Sequence, residues 1–274
     1  MLFTTLALLS AASALAVDDV QQRQHIFSNP PVDEARYEIP TVHESAVMAR
    51  RILQKTNIAN LVTTFPSPSF SDDEASIEEN RPNEVQGSPI GLMEYIADCE
   101  SDGNPTLLAI NIATPFRNYH AGSNVSLSVR WWPGRSGFYT ATPDIPTPHT
   151  PAALPRFSLH GYLERMTPQD LWRHYVPACF LKEHPDSMLW QPGNEISHES
   201  EYMRFVVEHV YWFGGFGDRA RIGWLPIEEW RGVSEREIEE CRLPGEKGYQ
   251  EKSVDEEDGE GNREKVGRLW REGL

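Results

Sequence analysis

Phe205–Val233, FVVEHVYWFGGFGDRARIGWLPIEEWRGV, is the stretch whose reading decides the fold. Phe205, Val206, Val207, Val210, Tyr211, Trp212 and Phe213 are β-branched or aromatic, the residue types that pack on a pleated sheet. Gly214, Gly215 and Gly217 can adopt the positive φ that a tight reversal needs. Arg221–Trp224 resumes an extended run. Pro226 then presets φ for a helical turn, and Glu228 and Glu229 suit its positive end. The reading is strand, turn, strand, helix start.

Upstream, Thr41–Thr56 (TVHESAVMARRILQKT) reads as an amphipathic helix. Thr41 is its cap, Glu44 sits at the capping-box position, and Val42, Ala46, Ala49, Ile52 and Leu53 form its apolar stripe. The expected strands are Asn57–Pro66, Gly91–Cys99, Thr106–Ala113, Val125–Trp132 and Arg156–Arg165. Thr114–Ser123 is a short helical connection. Thr167-Pro168-Gln169-Asp170 opens a helix that runs to about His184, before Pro185. Ser67–Pro89 is an acidic loop, and Pro133–Pro155 carries six prolines and is irregular. Several short strands with few helices predict a mainly β fold, a closed or partly closed barrel.

The chain has 274 residues, 39% of them hydrophobic and 24% charged, enough for one large domain with a core. Its formal net charge of −16 argues against a nucleic-acid or anionic-membrane partner, either of which requires a basic surface. Leu2–Ala16 (LFTTLALLSAASALA) is apolar and uncharged, and Ala14-Leu15-Ala16 is a small-residue cleavage pattern. Residues 1–16 are therefore expected to be a secretory signal, 17–40 an extended arm, 41–233 the folded domain, and 234–274 an acidic, flexible tail whose early part is compatible with helix. No later segment is long enough for a membrane helix. The three cysteines, Cys99, Cys179 and Cys241, allow one disulfide in an oxidising compartment, and spacing does not choose the pair.

Five pieces in order carry a resemblance: Ala46–Pro66, Gly87–Cys99, Ala113–Val129, Phe157–Pro185 with its central Gly161, and the Phe205–Val233 hairpin that would close the barrel. From about His43 to Val233 the chain resembles the CREG-like proteins, a branch of the pyridoxamine 5′-phosphate oxidase-like (FMN-binding split barrel) superfamily. The resemblance implies a six-stranded antiparallel split barrel, a homodimer, and a secreted or endolysosomal (vacuolar or lysosomal) glycoprotein. It further implies that flavin enzymes of the superfamily hold FMN at the dimer interface, whereas CREG-like members lack it because protein obstructs the cleft.

An FMN phosphate needs several Arg, Lys or hydroxyl donors converging on one point. The segments matching the superfamily's donors offer Thr63, Thr114 and Arg117, with Thr64 and His120 beside them. The chain then runs into Asp72, Asp73, Glu74, Glu78 and Glu79, which repel a dianion. No cofactor is expected on this reading, and FMN-dependent oxidoreduction is the alternative. Asn124-Val125-Ser126 is a glycosylation sequon, and Asn124 is also the residue a turn would use. Glu195, His198 and Glu199 read as a polar loop rather than metal ligands, and no catalytic residue is expected. Trp131, Trp132, Trp212, Trp224 and Trp230 read as core and interface aromatics, with a carbohydrate platform as the minor alternative. The function read from the sequence is non-enzymatic binding of a protein or glycan partner.

Overall fold

A computed structural model of the chain describes residues 39–66, 81–133, 151–194, 198–215 and 220–249. The segments expected to be a leader and an arm up to residue 38, the acidic residues 72–79, most of the proline-rich insert and the expected tail from residue 250 lie outside the described residues.

Helix α1 (Val42–Lys55) opens the domain, with both arms of the Thr41/Glu44 capping box formed. The strands are β1 (Ile58–Thr64), β2 (Pro89–Ala97), β3 (Thr106–Ile110), β4 (Val125–Arg130), β5 (Arg156–Arg165), β6 (Ser200–Phe213) and β7 (Ile222–Leu225). All pairings are antiparallel, and the sheet order is β3-β2-β1-β4-β5-β6-β7. One further pairing, β3 with β6, joins Thr106–Ile110 to Ser200–Arg204 and closes six strands into a barrel. The expected closure by the 205–233 hairpin is thus corrected. The length of β6 is the physical reason: its first half seals the barrel on β3, and its last four residues carry β7 as a seventh strand beyond it.

Alternation sets which side chains fill the barrel. On β4, Val125, Leu127 and Val129 point in, and on β5, Phe157, Leu159 and Leu163 do. On β6 the buried set is Phe205 and Val207, then Val210 and Trp212, so the phase slips by one residue. The slip is a β-bulge: His160 pairs with His209 but Gly161 pairs with Val207, leaving Glu208 as the extra residue.

A second, smaller core lies outside the barrel. Ala97, Leu108, Met166, Val176, Phe180 and Tyr202 pack under α3 (Pro168–Arg173) and α4 (Val176–Glu183). These replace the single helix expected from Thr167 to about His184. Pro177 is the reason: it has no N–H to donate and its ring opposes the carbonyl four residues back. The chain instead turns at Tyr175, which takes a left-handed φ of 48°. Cys99 and Cys179 form a disulfide across 80 residues, tying the turn after β2 to α4, and Cys241 is a free thiol. Closing a loop of that length restrains the unfolded chain, so Cys99→Ser should lose about 2–4 kcal/mol in urea denaturation. Equal stability with and without reductant would contradict this.

The folded body extends past Val233. Helix α5 (Ile227–Gly232) is followed by α6 (Glu235–Glu240), which has its own Ser234/Glu237 capping box. Ile238 and Leu243 are buried against the main core with Ala46, Ala49 and Ile52 of α1. No helix among the described residues is long and apolar enough to cross a membrane.

Candidate functional site

The short helix α2 (Thr114–His120) packs on β1 with Pro115 and Phe116 buried, and its Tyr119 hydroxyl donates to the Leu163 carbonyl of β5 at 2.6 Å. The fold therefore brings the two segments that hold the expected phosphate donors into one place. It also buries one of those donors. Thr63 is 1% exposed, and its Oγ1 accepts a hydrogen bond from Asn118 Nδ2 at 3.1 Å. Asn118 is itself buried, at 2%.

The next residue's hydroxyl is engaged in the opposite sense, as a donor to Ser123. The Ser123 hydroxyl donates to the Asn124 carbonyl at 2.6 Å and accepts from the Thr64 amide at 2.8 Å. With its hydrogen committed, Ser123 Oγ also accepts from the Thr64 hydroxyl at 3.1 Å. Thr114 opens α2 and Arg117 lies in its last turn, both half-buried. A ligand approaching these two from solvent does not reach the Thr63 hydroxyl. With Thr63 buried and Thr114 and Arg117 half-buried, the three do not present a common phosphate-facing surface in this chain. Sequence reading passed over Asn118. Its signal is modest: an amide on the buried side of a helix must find a partner.

Asn124 is exposed, in the turn that leads into β4, so its side chain is open to modification. His198 and Glu199 are exposed and line a polar cavity of about 370 Å³ with Asn111, Arg165 and Glu201. Arg165 donates to Glu201 there at 2.7 Å. Glu195 lies outside the described residues, and among the described residues no cluster of three His, Cys, Asp or Glu is placed to hold a metal.

The tryptophans divide by face. Trp131, Trp212 and Trp230 are buried, whereas Trp132 and Trp224 are 51% and 61% exposed. Trp224 stands on the outer face of β7 among side chains of β5 and β6. Its ring centre lies 5.1 Å from Tyr211, 5.4 Å from His160 and 6.2 Å from His209. Burial, and then the neighbouring His209, hold the His160 imidazole below its ordinary value. Tyr211, Trp224 and the two imidazoles thus form one aromatic patch on the outer face of the sheet.

A barrel closed by β3 on β6 agrees with a family model described as "CREG, beta-barrel" that matches residues 40–231. The chain belongs to the CREG beta-barrel family. Among curated proteins none matches the sequence. Solved structures similar to this CREG-family chain include a heme binding protein from Mycobacterium smegmatis, 19% identical with a TM-score of 0.48, covering 72% of this chain and 62% of that one. The chain thus spans less than two thirds of that protein. Others are HutZ, the heme storage protein of Vibrio cholerae, 13% identical with a TM-score of 0.39 over 61% of this chain and 92% of that one. An F420 reductase is 13% identical with a TM-score of 0.33 over 58% and 92%.

Proposed function

We propose that this CREG-family chain is a homodimeric glycoprotein of the secretory pathway that acts by binding another macromolecule through its surface, without flavin chemistry. The observation that carries the reading is the state of Thr63. A phosphate-binding site needs its donors presented together to the ligand. Here the one on the barrel wall is buried and bonded to Asn118, and exposing it would strand the Asn118 amide. Split barrels host unrelated functions, so the fold alone does not decide between enzyme and binder.

Other features support the reading. The Cys99–Cys179 disulfide suits an oxidising compartment, as does the leader at Leu2–Ala16. Asn124 is exposed and available to a glycan. The Trp224, Tyr211 and His160 patch offers the aromatic area that protein interfaces favour.

Titrating FMN with the purified protein and following flavin fluorescence tests the proposal. The expected result is no saturable quenching. Saturable binding that is lost in Arg117→Ala would overturn it and make the chain a flavin-dependent oxidoreductase.

A further inference from the structure

His43 stands in the first turn of α1 and reaches both C-terminal helices. Its Nδ1 lies 2.8 Å from Glu229 Oε2 on α5, and its Nε2 lies 2.7 Å from Glu237 Oε1 on α6. A neutral imidazole has one N–H and one lone pair, so it can donate to only one carboxylate and turns its lone pair on the other. Two short contacts to two carboxylates are both attractive only for the imidazolium. We propose that His43 is an acid-engaged latch that holds α6 and the segment after it on α1, and that slackens toward neutral pH.

The surroundings fit a latch rather than a fixed bolt. α6 and the segment after it have further anchors that involve no histidine. Arg51 donates to the Ile238 carbonyl at 3.3 Å and to Glu246 at 3.1 Å, and the Trp131 indole donates to the Pro244 carbonyl at 2.7 Å. Among the described residues, His43 is the one histidine that ties the start of α6 to the start of α1. The nearby charges do not replace it. On α1, Glu44 turns to the Thr41 amide and hydroxyl. On α5, Arg231 donates to the Val207 carbonyl, and on α6, Arg236 pairs with Glu240. The remaining carboxylates of α5 and α6, Glu228, Glu235 and Glu239, share the sign of Glu229 and Glu237 and so favour the same protonated imidazole.

Glu237 and then Glu229 raise the His43 imidazole above its ordinary 6.5. A raised folded value stabilises fully below the unfolded value and is lost as pH rises through the folded one. Glu237 behaves oppositely. Ser234 and then His43 hold it down to about 2, so its contribution is present above 4.5 and fades as pH falls. The latch is therefore tightest between 4.5 and 6.5. Nearly half of the His43 side chain is exposed, so solvent screens the pair and the effect is a loosening, not unfolding.

Two readouts on the full-length chain test this. An NMR titration of the His43 ring should show a midpoint above 6.5 that falls in Glu229→Gln. Hydrogen exchange of the Ile238 and Cys241 amides, which bond to the Ser234 and Glu237 carbonyls, corrected for intrinsic rate, should be about threefold slower at about pH 5.5 than at about pH 7.5. His43→Gln should abolish that ratio. A midpoint at or below 6.5, or a ratio unchanged in His43→Gln, would overturn the proposal.

Discussion

Gly161→Ala is expected to cost about 4 kcal/mol or more, enough to leave little folded barrel in a domain of ordinary stability. The reason lies in the bulge that joins β5 to β6. A Cβ on Gly161 would stand 1.9 Å from the Val206 carbonyl oxygen and 3.0 Å from its carbon. Both are backbone atoms in the longest strand of the barrel, so neither can turn aside as a side chain would. The strands must separate at the point where Glu208 is already looped out and the packing phase changes from Val207 to Val210. Gly91 is the control. A Cβ there meets only a Val62 methyl at 3.4 Å, an ordinary contact. Denaturant midpoints of the two alanine variants should therefore differ widely, and a Gly161→Ala cost below about 1 kcal/mol would contradict the bulge geometry.

Arg204→Ala should cost about 3–5 kcal/mol. Arg204 on β6 gives Nε and Nη2 to the two oxygens of Glu100, each at 2.5 Å, and its Nη1 to Glu164 at 2.8 Å. Asp170 of α3 lies 3.5 Å away, and His174 stands 3.5 Å from Glu100. The Glu100 side chain is 4% exposed, so without Arg204 a carboxylate would be left in the interior facing only a histidine. This cluster pins α3 and the turn after β2 onto β6, over the second core. Glu100→Gln keeps the hydrogen-bonding shape and removes the buried charge, so it should cost less than Arg204→Ala. An Arg204→Ala cost below about 1 kcal/mol in a denaturant series would show that the pair contributes little and that packing holds α3.

Much of the barrel could be read from local pattern. The α1 boundaries follow from Thr41, Glu44 and the apolar stripe, and alternation marks β4 and β5. The resemblance, carried by the order of five pieces, extended this to the whole domain. What escaped was set by distant partners. Nothing near Ser200 says that it will pair with Ile110, and that pairing is what closes the barrel. The disulfide partner of Cys99 depends on where α4 docks. The segment after Val233 looks solvated because it is mostly charged, yet two apolar residues, Ile238 and Leu243, suffice to bury one face of it on α1. Pro177 did carry a local signal for the helix break at Tyr175. The type of Thr63 suits a phosphate donor, and only the fold reveals that its hydroxyl is buried beside Asn118.

The most direct test of the central claim is size-exclusion chromatography with light scattering and in-line visible absorbance, run on protein incubated with FMN. The account predicts a particle of dimer mass with no flavin absorbance under its peak. Flavin co-eluting with the protein in stoichiometric amount would contradict it.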